Sequence, residues 1–457
     1  MPRVLMIGLD SVPPLLAFQR YRNVMPNLAR LMSNGCWGPL RSTTPPITVP
    51  AWACMLSGYD PGELGLYGFR NRRLGSYDLQ LVNSADVKRP MIWDRLGDGN
   101  ACVLFVPPSF PPRPIRGEMV SCFLTPDAEA VHTFPEALGE ELRLRFGPYQ
   151  PDVDEYRTTE LPHLLEQVYA GAEQRFGIAE YLIRTRQPEL TVMVEIGPDR
   201  FHHAFWSHID PDHPKHVVGN AFANAGLEYY QFLDQRIGQL LAAAGPDTAV
   251  LIVSDHGVRP LVGCIHVNQW LIDNGYLVLK SQPQQLTPFA DLDIDWSRTR
   301  AFGEGGYYAR ITLNVSGREP HGCVQASQVD ALTAELSGKL AKLPGPAGEV
   351  LTHRIVKPTE CYRETCGLPP DLMVFFGDLA YRSIGALDNG RLYSETNDTG
   401  PDACNHAWDG IFVLSGPTVS ARGPLAQVHN ADVAVTVLGL LGIPARDLVG
   451  IDQRGGT

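Results

Sequence analysis

Asp10, Asp199 and Asp255 each stand close behind a short apolar run, and two of them arrive with histidines: Asp199 four residues before His203, Asp255 next to His256. A spacing of four places both side chains on one face wherever the segment is helical. Adjacent residues at a strand end can both reach one ion if the chain bends there. His406 directly precedes a further apolar run in Asn405-His406-Ala407-Trp408-Asp409-Gly410-Ile411. Carboxylate and imidazole mixtures of this kind suit zinc or another divalent first-row cation. The stretch Pro45-Pro46-Ile47-Thr48-Val49-Pro50-Ala51-Trp52 supplies a hydroxyl. Pro50 costs nothing in a first helical turn, and Gly58 closes the apolar helix expected over residues 51–57. Thr48 then stands at a helix N-terminus, where free N–H groups and the dipole favour an anion. That arrangement suits a nucleophile attacking phosphate.

Each position also has a plainer use. Thr48 serves equally as an ordinary helix N-cap and Asp10 as a strand-end cap. Asp199 and His203 could form a surface helix pair. Asp212 and His216 share their spacing but enclose Pro214, which breaks the turn. His202, His208 and His213 read as solvated or supporting histidines. The coincidence of three strand-end aspartates, two paired histidines and a presented threonine favours a common site.

The elements that must position these residues follow a repeating order. Strands are expected over residues 4–9, 101–106, 190–196, 248–253, 371–376 and 411–414, and helices over 25–32, 161–184, 222–244 and 431–441. Leu227, Tyr230, Leu233, Ile237, Leu240 and Leu241 mark the buried stripe of the third helix. Helix, strand and then carboxylate, repeated, predicts an α/β fold with a doubly wound, mostly parallel central sheet flanked by helices. Residues 1–280 form the first part of the core. Residues 281–366, with hairpin-like pieces such as 307–315, read as an inserted cap, and 367–457 as the closing part of the core.

Composition narrows the function. A formal charge of −12 argues against a nucleic-acid polymer or an anionic membrane as partner. Nine cysteines, an odd number without a Cys-x-x-Cys pair, suggest reduced thiols in a cytoplasmic protein. The chain enters at once into an expected core strand, so no signal peptide is expected, and no run is long and apolar enough to span a membrane. The signatures of P-loop enzymes, nucleophile-elbow hydrolases and zincin proteases are missing.

In their order along nearly the whole chain these motifs resemble the alkaline phosphatase superfamily, in its type I phosphodiesterase/nucleotide pyrophosphatase branch. The resemblance rests on Ile7-Gly8-Leu9-Asp10, the Thr48 stretch, Asp199 with His203, Ser254-Asp255-His256-Gly257 and His406 before Asp409-Gly410-Ile411-Phe412, with support from Pro370-Asp371-Leu372 and the segment from Asp432 to Pro444. It implies a metal-dependent hydrolase of small phosphate esters with two divalent ions, Zn2+ or in exchange Mn2+. Asp10, Asp255, His256 and Thr48 would hold one ion, and Asp199, His203 and His406 the other. Thr48 would be the catalytic nucleophile, forming a phospho-threonine that water cleaves from the opposite side. A cation stabilises the alkoxide, and two ions about 4 Å apart suit in-line displacement at phosphorus. Three positions depart from the branch. Ala51 replaces a usual asparagine that donates to a phosphoryl oxygen, Ser11 a commoner glycine, and Leu64 a frequent histidine. The related readings are a phosphomonoesterase, a phosphonate hydrolase or a phosphotransferase of the superfamily. A catalytically inactive binding or scaffold protein on this fold is the reading from another class.

Overall fold

The apolar runs fold as the periodicity predicts. The structure, a computed structural model, describes residues 3–455. Contacts divide the chain into two compact units. One contains the chain up to Phe69, Val82–Val258 and the chain from His406 onward; the other contains Arg70–Leu81 and Arg259–Asn405.

The first unit is built on a large twisted sheet. Its strands lie in the order Gly423–Pro424, Cys36–Arg41, Asp409–Ser415, Thr248–Val253, Arg3–Leu9, Leu190–Glu195, Ala101–Leu104, Gly117–Val120 and Thr133–Phe134. The five strands from Thr248–Val253 to Gly117–Val120 run parallel. Asp409–Ser415 runs antiparallel to both of its neighbours. Residues 4–9, 190–195 and 248–253 are buried throughout, which explains their near-continuous apolar sequence. Val4, Met6, Val192, Val194 and Leu251 share one core with Trp52, Met55, Val433 and Val437, from helices Thr48–Ser57 and Asn430–Leu440. Helices Pro26–Asn34, Leu161–Arg186 and Ala225–Ala244 contribute nothing to that core and pack among themselves. The doubly wound, mostly parallel expectation is met.

Two local readings change. In Ala225–Ala244 the buried residues include Tyr229, Tyr230, Leu233, Ile237 and Leu240, whereas Leu227 is 41% exposed. The strand Cys36–Arg41 was not expected, because Pro39 and Gly38 interrupt its pattern. It is tolerated because Gly38 admits a close approach: a Cβ there would lie 2.6 Å from the Leu425 carbonyl oxygen.

The second unit carries its own antiparallel sheet, ordered Ala301–Glu304, Ala309–Leu313, Leu372–Phe375, Arg354–Val356. Phe302, Ile311, Leu313 and Val374 pack there against Leu332, Leu336 and Leu340 of helix Val329–Leu340. The expected cap, 281–366, lies inside this unit, but the boundary differs from expectation. The strand expected over 371–376 pairs with Ala309–Leu313 through Ala309↔Val374 and Ile311↔Leu372, so it belongs here and not to the central sheet. Arg70–Leu81 joins the same unit, with Tyr77 stacked on Trp296 at 3.5 Å between ring centroids. Arg72 is buried and paired with Glu319 at 2.8 Å. Among the described residues no helix is long and apolar enough to cross a membrane.

Candidate metal centre

Strand direction brings the chemistry to one edge. Leu9 faces Glu195 and Gly8 faces Val253, so the residues following three adjacent parallel strands emerge side by side. Asp10 continues the first strand and donates its N–H to the Glu195 carbonyl at 3.0 Å. Asp255 lies two residues past Val253, and Asp199 lies in the first turn of helix Gly197–Ile209. His406 comes from before its strand rather than after it. Asp409–Ser415 is antiparallel, so its beginning reaches the edge where its parallel neighbours end. Arg41 pairs with Asp409 at that same edge, and the chain leaving Arg41 leads to Thr48.

All seven expected residues are buried, none more than 1% exposed, which removes the surface-pair reading of Asp199 and His203. Six of them form two triads of possible ligand atoms: Asp10, Asp255 and His256, and Asp199, His203 and His406. His256 Nε2 stands 3.6 Å from Asp10 Oδ1 and 3.2 Å from Asp255 Oδ2. His203 Nε2 and His406 Nε2 stand 3.5 and 3.7 Å from Asp199 Oδ1. The triads meet where the His256 and His406 rings stack at 3.7 Å. Thr48 is the first residue of helix Thr48–Ser57, just ahead of Val49 and Pro50; its Oγ1 lies 3.3 Å from His256 Nε2. Asp212 and His216 do not meet in this way: Asp212 is exposed and His216 Nδ1 bonds the Ser207 carbonyl.

The donor set fits divalent cations. Asp10 Oδ1, Asp199 Oδ1 and Asp255 Oδ2 are buried without a hydrogen-bond partner, a costly state for carboxylate oxygens that a cation among them would relieve. A carbonyl can only accept, so His256 Nδ1 donates to Gly257 and His406 Nδ1 to Pro46, at 3.0 and 2.8 Å. Both tautomers turn the Nε2 lone pair toward the carboxylates, where it can ligate. Burial pushes the Asp10 and Asp255 carboxyls well above their usual range, reinforced by Asp199 at Asp10 and by Asp10 at Asp255. Burial also raises Asp199, but His203, Arg200 and His406 outweigh it and hold the carboxyl well below its usual range. Burial pushes His256 down to about 4 and His406 well down, so both are neutral, the form that binds metal.

Several residues support the ligands, and of these Trp52 and Arg200 escaped the sequence reading. The buried Trp52 donates its indole N–H to Asp10 Oδ2 at 2.7 Å. Gly8 makes room for that ring, since a Cβ there would lie 2.4 Å from Trp52 Cη2. Ser11 adopts φ +68°, the left-handed region that suits the glycine expected there, at a cost of about 1 kcal/mol. Its N–H donates to Asp255 Oδ1 at 3.2 Å and its hydroxyl meets His202 Nδ1 at 3.3 Å. His202 is therefore a buried support rather than a solvated residue, with Nε2 3.0 Å from the Tyr230 hydroxyl. Arg200 binds Asp199 Oδ2 at 2.7 Å. Only adjacency to a candidate ligand could have pointed to Arg200; for Trp52 the sequence holds no such signal.

A mostly parallel sheet with acidic and imidazole side chains at its strand edge defines an alkaline-phosphatase-like α/β protein. Solved structures with this fold include murine ectonucleotide pyrophosphatase/phosphodiesterase 5, an inactive threonine-to-alanine form in complex with AMP, at 12% identity and TM-score 0.59 over 98% of this chain and 97% of that one. Phosphonoacetate hydrolase from Sinorhizobium meliloti 1021, in complex with phosphonoformate, is similar at 14% identity and TM-score 0.59 over 96% of both chains. No curated protein matches by sequence. The chain belongs to the type I phosphodiesterase/nucleotide pyrophosphatase family, whose model matches residues 4–402. Membership makes it a phosphodiesterase/pyrophosphatase-type phosphoryl hydrolase and implies the use of divalent metal.

Proposed function

We propose that the chain hydrolyses small phosphate esters, most readily phosphodiesters, with Thr48 as nucleophile and two divalent cations, Zn2+ or in exchange Mn2+. Asp10, Asp255, His256 and Thr48 Oγ1 would hold one cation, and Asp199, His203 and His406 the other. The observation that carries this reading is the set of three buried carboxylate oxygens without hydrogen bonds, gathered with Nε2-directed imidazoles beside the Thr48 hydroxyl. When bound, the cations supply Lewis acidity, lowering the pKa of a ligating hydroxyl and drawing charge from the phosphoryl oxygens.

Thr48 Oγ1 attacks phosphorus, its proton passes to solvent, and the bond from phosphorus to the leaving oxygen breaks. Water then attacks the phospho-threonine from the opposite side, the bond from phosphorus to Oγ1 breaks, and Thr48 regains a proton. The first turn of Thr48–Ser57 directs its N–H groups and dipole toward the transferred group. This matters because Ala51 offers no side-chain donor, so the transition-state charge would fall to the cations, the backbone or another side chain. AMP and phosphonoformate, bound in the two structures of similar fold, are small phosphorus oxyanions and support a substrate of that size.

Thr48→Ala should abolish turnover of bis-p-nitrophenyl phosphate while keeping the fold and most bound metal. A near-normal rate in that variant would move the nucleophile elsewhere. A protein without metal and inert after zinc or manganese addition would favour the scaffold reading. Comparing p-nitrophenyl phosphate with its diester separates monoesterase from diesterase activity.

A further inference from the structure

The two candidate cation triads are supported unequally. Among the described residues the hydrogen-bond donors to the Asp10 and Asp255 carboxylates are neutral: the Trp52 indole at 2.7 Å and the Ser11 backbone N–H at 3.2 Å. At Asp199 the donor is a cation. Arg200 Nη1 lies 2.7 Å from Asp199 Oδ2, and Arg200 is itself only 5% exposed.

This guanidinium has little freedom. Its Nε donates to Asp152 at 2.9 and 3.1 Å and its Nη2 at 2.6 Å, so a second carboxylate grips the group that Asp199 holds through Nη1. It also packs over the rings of Phe123 and Tyr156, at 5.1 and 4.4 Å from their centroids. With Oδ2 held, Asp199 turns Oδ1 toward His203 and His406. A carboxylate that lost this bond could rotate or offer both oxygens to an ion.

We propose that Arg200 is a positioning residue that confines Asp199 to one ligating oxygen, Oδ1, at the Asp199–His203–His406 site. The inference rests on the two-cation function above. Asp152 acts one step further out, as the anchor of Arg200. With Asp199 ligating through Oδ1 alone, that site would have three protein ligands, the number found in catalytic rather than structural zinc sites.

The test uses the full-length protein, stripped of metal and titrated with Zn2+ against a chromophoric chelator. Cadmium-113 NMR of the Cd2+ form resolves the two sites, and His406→Ala identifies the resonance of the second. Arg200→Met should lower affinity at that site about 10- to 100-fold, the usual effect of removing a partner of a ligand, with the first site unchanged. Arg200→Lys, which keeps a charged donor, should recover most of the loss. A merely structural role would lower both sites together or reduce only urea stability. Equal losses at both sites, no change at either, or a tighter second site overturns the role of Arg200. Wild-type protein that holds fewer than two cations overturns the two-cation reading and this inference with it.

Discussion

The Trp52–Asp10 bond permits a test that separates packing from chemistry. Trp52 is fully buried, and a Cβ on Gly8 would lie 2.4 Å from its Cη2, 2.9 Å from its Cζ3 and 3.0 Å from Val194 Cγ2. Gly8→Ala should therefore overpack the core, destabilising by about 1–3 kcal/mol. Trp52→Phe removes the outer indole atoms and opens space at the same spot, costing about 2 kcal/mol. Combined, the new methyl fills the space the ring vacated, so the double variant should be more stable than the sum of the two losses by about 1–3 kcal/mol. Filling that space does not restore the N–H donor to Asp10 Oδ2. Zinc affinity at the Asp10–Asp255–His256 site should fall about 10- to 100-fold in both Trp52→Phe and the double variant. Urea unfolding of metal-free protein reads the first quantity and chelator competition the second. Recovery of zinc affinity along with stability in the double variant would refute the indole N–H as the support of Asp10.

Ser11 should reverse the usual ranking of alanine over glycine. Both substitutions lose the hydroxyl facing His202, but only alanine keeps the strain of φ +68°, so Ser11→Ala should unfold at lower urea than Ser11→Gly, by about 0.5–1 kcal/mol; the opposite order would contradict a left-handed Ser11. Asp255 has a raised carboxyl pKa in the folded chain, so its contribution to metal-free stability is full below the unfolded value near 3.8 and is lost as pH rises through the folded one. Metal-free wild type should then lose stability relative to Asp255→Asn as pH increases, and a difference independent of pH would count against that burial. The neutral histidines act in the opposite sense: the contributions of His256 and His202, pushed down to about 4 and about 3, are present above pH 6.5 and decline as pH falls toward those values.

Much of the candidate site was legible because its signals are local. Asp10 and Asp255 sit one and two residues beyond buried parallel strands, and a helical turn alone brings His203 to Asp199. Thr48 was readable from the prolines and the apolar run around it, although its hydroxyl meets His256 instead of capping the helix. The strand at 371–376 shows the limit of such reading. Its existence followed from its apolar residues, but its partner did not, and it joined the second unit's sheet through Ala309–Leu313.

Sequence alone determined the parallel core, the carboxylates at its edge and the threonine at a helix start, since periodicity and turn residues act over a few positions. Tertiary structure decided what depends on pairing between distant segments. It made Asp409–Ser415 antiparallel and so delivered His406 to the edge, and it seated Trp52 against Gly8 so that the indole reaches Asp10. Ion ligation also needs buried oxygens left without hydrogen bonds, and which oxygens those are depends on every neighbour the fold brings near.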